Sequence, residues 1–233
     1  RSAAQDGLFN LDPERIDEYS RLIHVVLTSG DDPGKPTVDV VDQGIGIEPD
    51  EFTTTILSFH RGNKIHKHYL AGAFGQGGSA TIAFSDYTLI VSRHIRSAHI
   101  VGFTLVKQLD LEETYKENAY AYLAIQRPDG RITVPSCAID GALDPYPEVQ
   151  PGPHKPPAVS CGTVVRHYGY QLKGLEGPLS TSPGNIYHLL QHLLFDPLLP
   201  FRVVDLRRAG SYRRKIVIGS RNRLLAEVGI AEI

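Results

Sequence analysis

The sequence reads Val38-Asp39-Val40-Val41-Asp42-Gln43-Gly44-Ile45-Gly46 where a valine-rich run meets a turn that contains two glycines. The valines predict a strand, and the glycines let the chain turn sharply where a side chain would obstruct it. Asp42 then stands at the strand end beside open backbone, where its carboxylate can accept a hydrogen bond from an exocyclic amine. In a pocket, such a charge-assisted bond contributes about 1.5–3 kcal/mol. A turn with an Asx cap is the other interpretation of these residues.

The residues around this motif predict an α+β fold with a mixed, mainly antiparallel sheet. Strand-like runs at 24–27 and 37–41 flank turn residues at 29–34, which predicts a hairpin. Helices are predicted over residues 12–23, from Pro49 to about residue 59, and over Asn185–Phe195. Further strands are predicted at Tyr87–Arg93, Ile100–Val106, Tyr120–Gln126, Arg131–Val134, Gly162–Tyr170, Phe201–Leu206 and Lys215–Ile218. Residues 144–157 contain six prolines and predict a surface excursion or a flexible loop.

The composition is that of a folded domain and excludes several classes of protein. The 233 residues include 24 Lys and Arg against 26 Asp and Glu, a net charge of −2, which excludes a polyanion-binding surface spread over the whole molecule but not a local basic patch. No apolar run approaches the roughly 20 residues that a membrane span needs. We also expect no signal peptide, because no apolar segment follows Arg1. Two cysteines, Cys137 and Cys161, make no disulfide framework, so a reducing compartment and a cytoplasmic location are expected.

A second glycine-rich motif reads Gly72-Ala73-Phe74-Gly75-Gln76-Gly77-Gly78 and precedes a helix-like run. Closely spaced glycines let backbone N–H groups approach a phosphate, and the start of a helix favours an anion. The motif is not a Walker A loop, because no Gly-Lys-Ser/Thr follows, and it does not close a first βαβ unit as a Rossmann fingerprint does. Alone, it predicts a phosphate-binding loop only weakly.

The two motifs in this order resemble those of the GHKL ATPase superfamily, which includes DNA gyrase B, the ninety-kilodalton heat-shock chaperones, histidine kinases and MutL. Residues 42–47 resemble its Asp-x-Gly-x-Gly box, and residues 72–77 resemble its Gly-x-Phe-Gly-x-Gly box in the chaperone and MutL form. Cys161-Gly162-Thr163-Val164-Val165 is similar to the family's strand with an adenine-contacting threonine. The resemblance covers roughly residues 20–170 and implies a Bergerat-type ATP-binding fold with helices on one face of the sheet.

The resemblance implies a role for each matching residue. Asp42 would accept from the adenine N6 amine with Thr163 beside it, and Gly46 would give the base room in a site that also includes Gly44. Residues 60–71 would form a mobile lid from which Lys64 or Lys67 could reach a phosphate, although a solvated polar loop is the alternative for either lysine. The implied cofactors are ATP and Mg²⁺. The phosphates would be wrapped by the second motif, with Gly72, Phe74, Gly75, Gln76 and Gly77 assigned to nucleotide binding.

The sequence departs from the family pattern at the residues that perform hydrolysis. The family's Glu-x-x-x-Asn helix supplies the general base and a Mg²⁺ ligand, and no residues here fit it. We expect that helix upstream of Arg1, so no catalytic residue and no metal ligand is assigned in this chain. His60, His66 and His68 are close enough in sequence to suggest a metal site, but without a cysteine or clustered carboxylates the more ordinary interpretation is a solvated loop.

These observations predict an ATP-binding domain over residues 1–175, followed at 176–233 by a helix and the start of a transducer-like segment. The expected function is slow ATP hydrolysis, with lid closure and possible homodimerisation that control a protein partner or an attached domain. The alternatives are a nucleotide-gated module that does not hydrolyse ATP and, less favoured by the phenylalanine in the glycine box, a histidine-kinase core. The basic run between Arg207 and Arg223 predicts a solvated strand pair, with contact to nucleic acid or to the γ-phosphate as the alternatives.

Overall fold

A computed structural model describes residues 13–32, 34–58, 81–109, 119–171 and 177–228 of the chain. The second glycine-rich motif, the expected lid at 60–71 with its two lysines, and the three histidines at 60, 66 and 68 lie outside these ranges. The predictions for those residues therefore stay predictions.

The described residues form eleven strands, three α-helices and two short 3-10 helices. The α-helices are α1 (Pro13–Tyr19), α2 (Ile186–Leu193) and α3 (Ser220–Val228), and the 3-10 helices cover Pro49–Thr54 and Ile95–Ser97. The strands are β1 (Ile23–Asp32), β2 (Lys35–Asp42), β3 (Tyr87–Arg93), β4 (Ile100–Leu109), β5 (Ala119–Tyr122), β6 (Ile125–Gln126), β7 (Ile132–Thr133), β8 (Ser136–Ala138), β9 (Gly162–Tyr168), β10 (Phe201–Asp205) and β11 (Arg213–Val217).

Nine of these strands form one sheet in the order β11-β10-β1-β2-β9-β3-β4-β5, with β8 also paired to β4. The β1–β10 pair is parallel, and every other pair among the described strands is antiparallel. The α+β class with a mixed, mostly antiparallel sheet is therefore confirmed. Strands β10 and β11, which come from the predicted transducer-like segment, belong to this same sheet.

Several predicted elements differ in detail from the structure. The helix predicted from Pro49 to about residue 59 is a 3-10 helix that ends at Thr54. The strand predicted over residues 120–126 is split, because β5 ends at Tyr122 and β6 begins at Ile125. The sequence analysis missed α3 and β8. Strand β8 has only three residues, and α3 lacks the apolar periodicity that marks a helix in a sequence.

The sheet packs a core against each of its faces. Alternation along β2 places Val38, Val40 and Asp42 on one face, here the front face, and Asp39 and Val41 on the other, the back face. Helix α2 and the 3-10 helix Pro49–Thr54 contribute to two separate apolar clusters on the front face. The first includes Leu27, Val38, Ile186, Phe201 and Val203, and the second includes Phe52, Leu57, Ile82, Ile90 and Val106.

The proline-rich segment covers the back face and is not merely a surface excursion. Tyr146 and Val149 of the segment, with Leu143 and Val159 at its ends, pack on Val26, Val41, Val164 and Val204 of the sheet. Tyr146 and Val159 have no exposed surface. The prolines exclude regular backbone pairing but not burial, and apolar side chains spaced along an irregular loop can still cover a sheet face.

A buried carboxylate ties this segment to the sheet. Asp39 has no exposed surface and stands opposite Arg166 in the β2–β9 register. The guanidinium donates from Nη2 to Asp39 Oδ2 at 2.7 Å and from Nε to Oδ1 at 2.9 Å. The Tyr146 hydroxyl donates to Oδ2 at 2.7 Å, and Arg166 Nη2 also donates to the carbonyl of Pro145 at 3.1 Å. Both oxygens of the buried carboxylate are thus satisfied, as a buried charge requires.

Candidate functional site

Asp42 lies at the end of β2 in a row of polar side chains that crosses the front face. In the strand register Asp42 stands opposite Thr163, and Thr163 stands opposite Ser92. The hydroxyls of Thr163 and Ser92 are 2.9 Å apart, and Ser92 Oγ accepts from the backbone N–H of Ile47 at 2.9 Å. The row therefore joins the two residues that the sequence analysis assigned to the adenine and connects them to the turn after β2.

The charge on Asp42 is unusual because it lacks a cationic partner. Burial raises the pKa of the Asp42 carboxyl, and hydrogen bonds from Gly44 and Thr163 offset only part of that effect. The Gly44 N–H donates to Oδ1 at 2.8 Å. Asp17, Asp39, Asp144 and Asp205 each form an ion pair, whereas Asp42 forms none with any residue that the structure describes. Its carboxylate keeps acceptor capacity for a further donor.

Gly44, Gly46 and Gly162 stand where neighbouring atoms leave no room for a side chain. Gly46 has a left-handed φ of +72°, and a Cβ there would lie 2.0 Å from the carbonyl oxygen of Arg93. A Cβ at Gly44 would lie 2.6 Å from Asp42 Oδ1. Gly162, just before Thr163, has a φ of +132°, and its Cβ would lie 2.0 Å from the backbone oxygen of Asp42. These contacts hold the turn and β9 tightly around the carboxylate.

We expect Gly46→Ala to destabilise the fold more than an alanine at an unconstrained glycine of the same backbone angle. Gly141 is the matched control, because it has the same φ of +72° and nothing within 4 Å of its Cβ position. The left-handed backbone alone costs about 1–2 kcal/mol with a side chain, and Gly46→Ala adds the displacement of Arg93. Urea unfolding of both variants measures the difference. Equal losses of stability would show that the Arg93 contact does not constrain this turn.

An apolar strip of three valines, Val25, Val40 and Val165, lies next to Asp42 on the front face and is here called the apolar trough. These three valines are side by side in the register of β1, β2 and β9. Val40 keeps 38% of its surface exposed although its strand is in the interior of the sheet. Val25 packs at the edge of the first front-face cluster and Val165 at the edge of the second. The trough is therefore the interval between two packed clusters, with Asp42 and Thr163 in the next row.

The structure brings together four of the sequence-assigned residues, namely Asp42, Gly44, Gly46 and Thr163. The other six, Lys64, Gly72, Phe74, Gly75, Gln76 and Gly77, lie outside the described ranges. Ser92 was missed, since no motif marks it and only the β3–β9 register places it beside Thr163. Within the ranges described, no three His, Cys, Asp or Glu side chains are grouped as a metal site would require.

Comparison with known proteins gives no assignment. No protein-family model matches the sequence. A search of curated proteins finds no match either. Among the helices that the structure describes, none has the length and apolar character needed to cross a membrane.

Proposed function

We propose that this chain is an ATP-binding domain of the GHKL type with a Bergerat-type fold, in which Asp42 binds the adenine amine. The observation that supports this most directly is the state of Asp42. It is a half-buried carboxylate with a raised pKa and no ion-pair partner among the described residues, beside an exposed apolar trough. A carboxyl whose ionisation is opposed by burial is typical of a functional site, where a ligand supplies the missing interaction.

The trough and the carboxylate match the two properties of a purine base. A flat apolar ring can lie over Val40 and Val165, which removes their exposed surface from water. In that position an exocyclic amine would point along the strand toward Asp42 and would donate a hydrogen bond to the carboxylate. Thr163 lies in the same row and is 6% exposed as a residue, and its hydroxyl would contact the adjacent ring nitrogen. Adenine has the required amine, whereas guanine has a carbonyl at that position.

The remaining parts of the proposal rest on the resemblance. Residues 72–77 would hold the phosphates, Lys64 would approach them from the lid at 60–71, and Mg²⁺ would accompany the nucleotide. We assign no residue of this chain to Mg²⁺ or to the activation of water. Slow hydrolysis coupled to lid closure and dimerisation, with an effect on a partner protein, is the activity that we propose for this protein.

Calorimetric titration of the chain with ATP and with GTP tests the adenine assignment. We expect ATP to bind at least ten times more tightly than GTP, because the guanine carbonyl would face the Asp42 carboxylate as one acceptor against another. Equal affinities, or no binding of ATP, would remove the assignment. Phosphate release measured on the same samples separates the two forms of the proposal. Release indicates an ATPase, and binding without release indicates the non-hydrolysing module.

A further inference from the structure

A second concave site lies at the other end of the sheet, between the β1–β2 hairpin and the start of the β10–β11 connection. It encloses about 420 Å³, a volume within the range of small-molecule sites. The lining combines small residues of the hairpin with charged residues from the β10–β11 hairpin, namely Ser29, Gly30, Pro36, Asp205, Arg207, Arg208 and Arg213.

Among the described residues, the lining carries three guanidinium groups against one carboxylate. Arg207 and Asp205 form a bidentate ion pair, in which Arg207 Nε donates to Asp205 Oδ1 at 2.9 Å and Arg207 Nη2 donates to Asp205 Oδ2 at 3.1 Å. Arg213 stands opposite Asp205 in the β10–β11 register, but the carboxylate is already occupied by Arg207. The Arg208 side chain makes no hydrogen bond or ion pair within the described ranges, and the Arg213 guanidinium attracts Asp205 from a longer distance, which helps to lower the pKa of that carboxyl. The described lining residues therefore keep a net charge of +2 in one cavity.

The cavity walls are fixed by contacts that do not use these two arginines. The hydroxyl of Ser29 donates to the carbonyl of Arg207 at 3.0 Å, which ties β1 to the residues after β10. Leu206 N donates to the carbonyl of Leu27 at 2.8 Å and extends the same connection. A backbone held in this way keeps Arg207, Arg208 and Arg213 close together despite their mutual repulsion, as a preorganised anion site requires.

This cavity is separate from the Asp42 site. Asp42 stands opposite Ile23 at the start of β1, whereas Ser29 is six positions further along the same strand. At about 3.4 Å per residue the two sites are on the order of 20 Å apart. A ligand in the cavity would therefore not touch the residues proposed to bind adenine.

We propose that the cavity binds a phosphate monoester of a small molecule, with Arg208 and Arg213 as its principal ligands. The planar guanidinium fork matches the oxygens of a phosphate and can donate two parallel hydrogen bonds to it. A dianion would balance the net charge of +2 of the described lining, in which Arg207 is already held by Asp205. The enclosed volume exceeds that of phosphate itself, so a small organic group attached to the phosphate also fits.

Calorimetric titration with ribose 5-phosphate, which has no purine to occupy the Asp42 site, tests this proposal. We expect binding by the wild-type chain and a loss of at least tenfold in affinity for Arg208→Gln/Arg213→Gln. Arg15→Gln on α1 is the matched control, because Arg15 is also exposed and its loss changes the net charge by the same unit as either single variant. Arg208→Gln alone, at an exposed position, is a second variant that is expected to fold normally.

Three results would overturn the proposal. The first is no binding of ribose 5-phosphate by the wild-type chain at millimolar concentration. The second is an equal loss of affinity in Arg15→Gln and Arg208→Gln, which would indicate general charge attraction. The third is that the chain does not bind ribose 5-phosphate but binds a duplex oligonucleotide, and that this binding depends on Arg208 and Arg213. That result would make the cavity part of a nucleic-acid surface. ATP affinity at the Asp42 site should remain unchanged in the double variant.

Discussion

Asp42→Asn is expected to weaken ATP binding by about 10- to 150-fold, the equivalent of a charge-assisted hydrogen bond of about 1.5–3 kcal/mol. The geometry around the side chain explains why an amide cannot substitute. The Gly44 N–H donates to Oδ1, so the amide oxygen of asparagine would turn toward Gly44. Its NH₂ group would then face the adenine amine, one donor against another. Calorimetric titration with ATP measures the loss.

The same substitution should leave the protein folded, which makes the binding result interpretable. Burial raises the pKa of Asp42, so its ionised form costs folding free energy at neutral pH and a neutral side chain of the same shape does not. We therefore expect a melting temperature equal to or above that of the wild type. Asp140→Asn, at an exposed aspartate, removes the same charge elsewhere and is the matched control. Unchanged ATP affinity in Asp42→Asn would refute the role assigned to this residue.

The second large effect is expected from Asp39→Ala, which should lower the free energy of unfolding by about 3–5 kcal/mol. The substitution leaves the mostly buried guanidinium of Arg166 without its carboxylate and removes the acceptor of the Tyr146 hydroxyl. It also releases the proline-rich segment from β2, which is the strand that ends at Asp42. Denaturation by urea, followed by circular dichroism, measures the loss of stability.

Tyr146→Phe is the matched variant for this prediction. It removes one hydrogen bond to Asp39 and keeps both the ring in the back-face core and the ion pair with Arg166. A loss of about 1 kcal/mol is expected, the net contribution of a single hydrogen bond. If Asp39→Ala cost no more than Tyr146→Phe, the ion pair would contribute little and the attachment of the segment would depend on apolar packing alone.

Sequence patterns predicted the elements that are marked by local chemistry. The hairpin of β1 and β2 follows from two β-branched runs and the turn residues between them. The turn after Asp42 follows from its glycines, and the structure adds the reason, because the Cβ position of Gly46 is occupied by the Arg93 carbonyl. Patterns of this kind depend on neighbouring residues only, and so they can be recognised without knowledge of the fold.

Predictions failed where the outcome depends on distant partners. The prolines of residues 144–157 predict a surface excursion or a flexible loop, because prolines exclude regular pairing. Tyr146 of this segment is nevertheless buried, because Asp39, which pairs with Arg166, accepts its hydrogen bond on a sheet face that no local pattern reveals. The predicted helix after Pro49 is only a 3-10 helix that ends at Thr54, although Phe52 within it and Leu57 after it both pack in the front-face core. Propensity is a weak guide where tertiary packing decides the length of an element.

The sequence by itself determined a carboxylate at a strand end, a glycine turn after it, and the mixed α+β class, since each depends on a few adjacent residues. Only the tertiary structure decided that Thr163 and Ser92 stand beside Asp42, that an exposed valine trough adjoins it, and that Arg208 and Arg213 share a cavity. The physical reason is strand register. Which side chains become neighbours across a sheet is set by the pairing of whole strands and by burial on both faces.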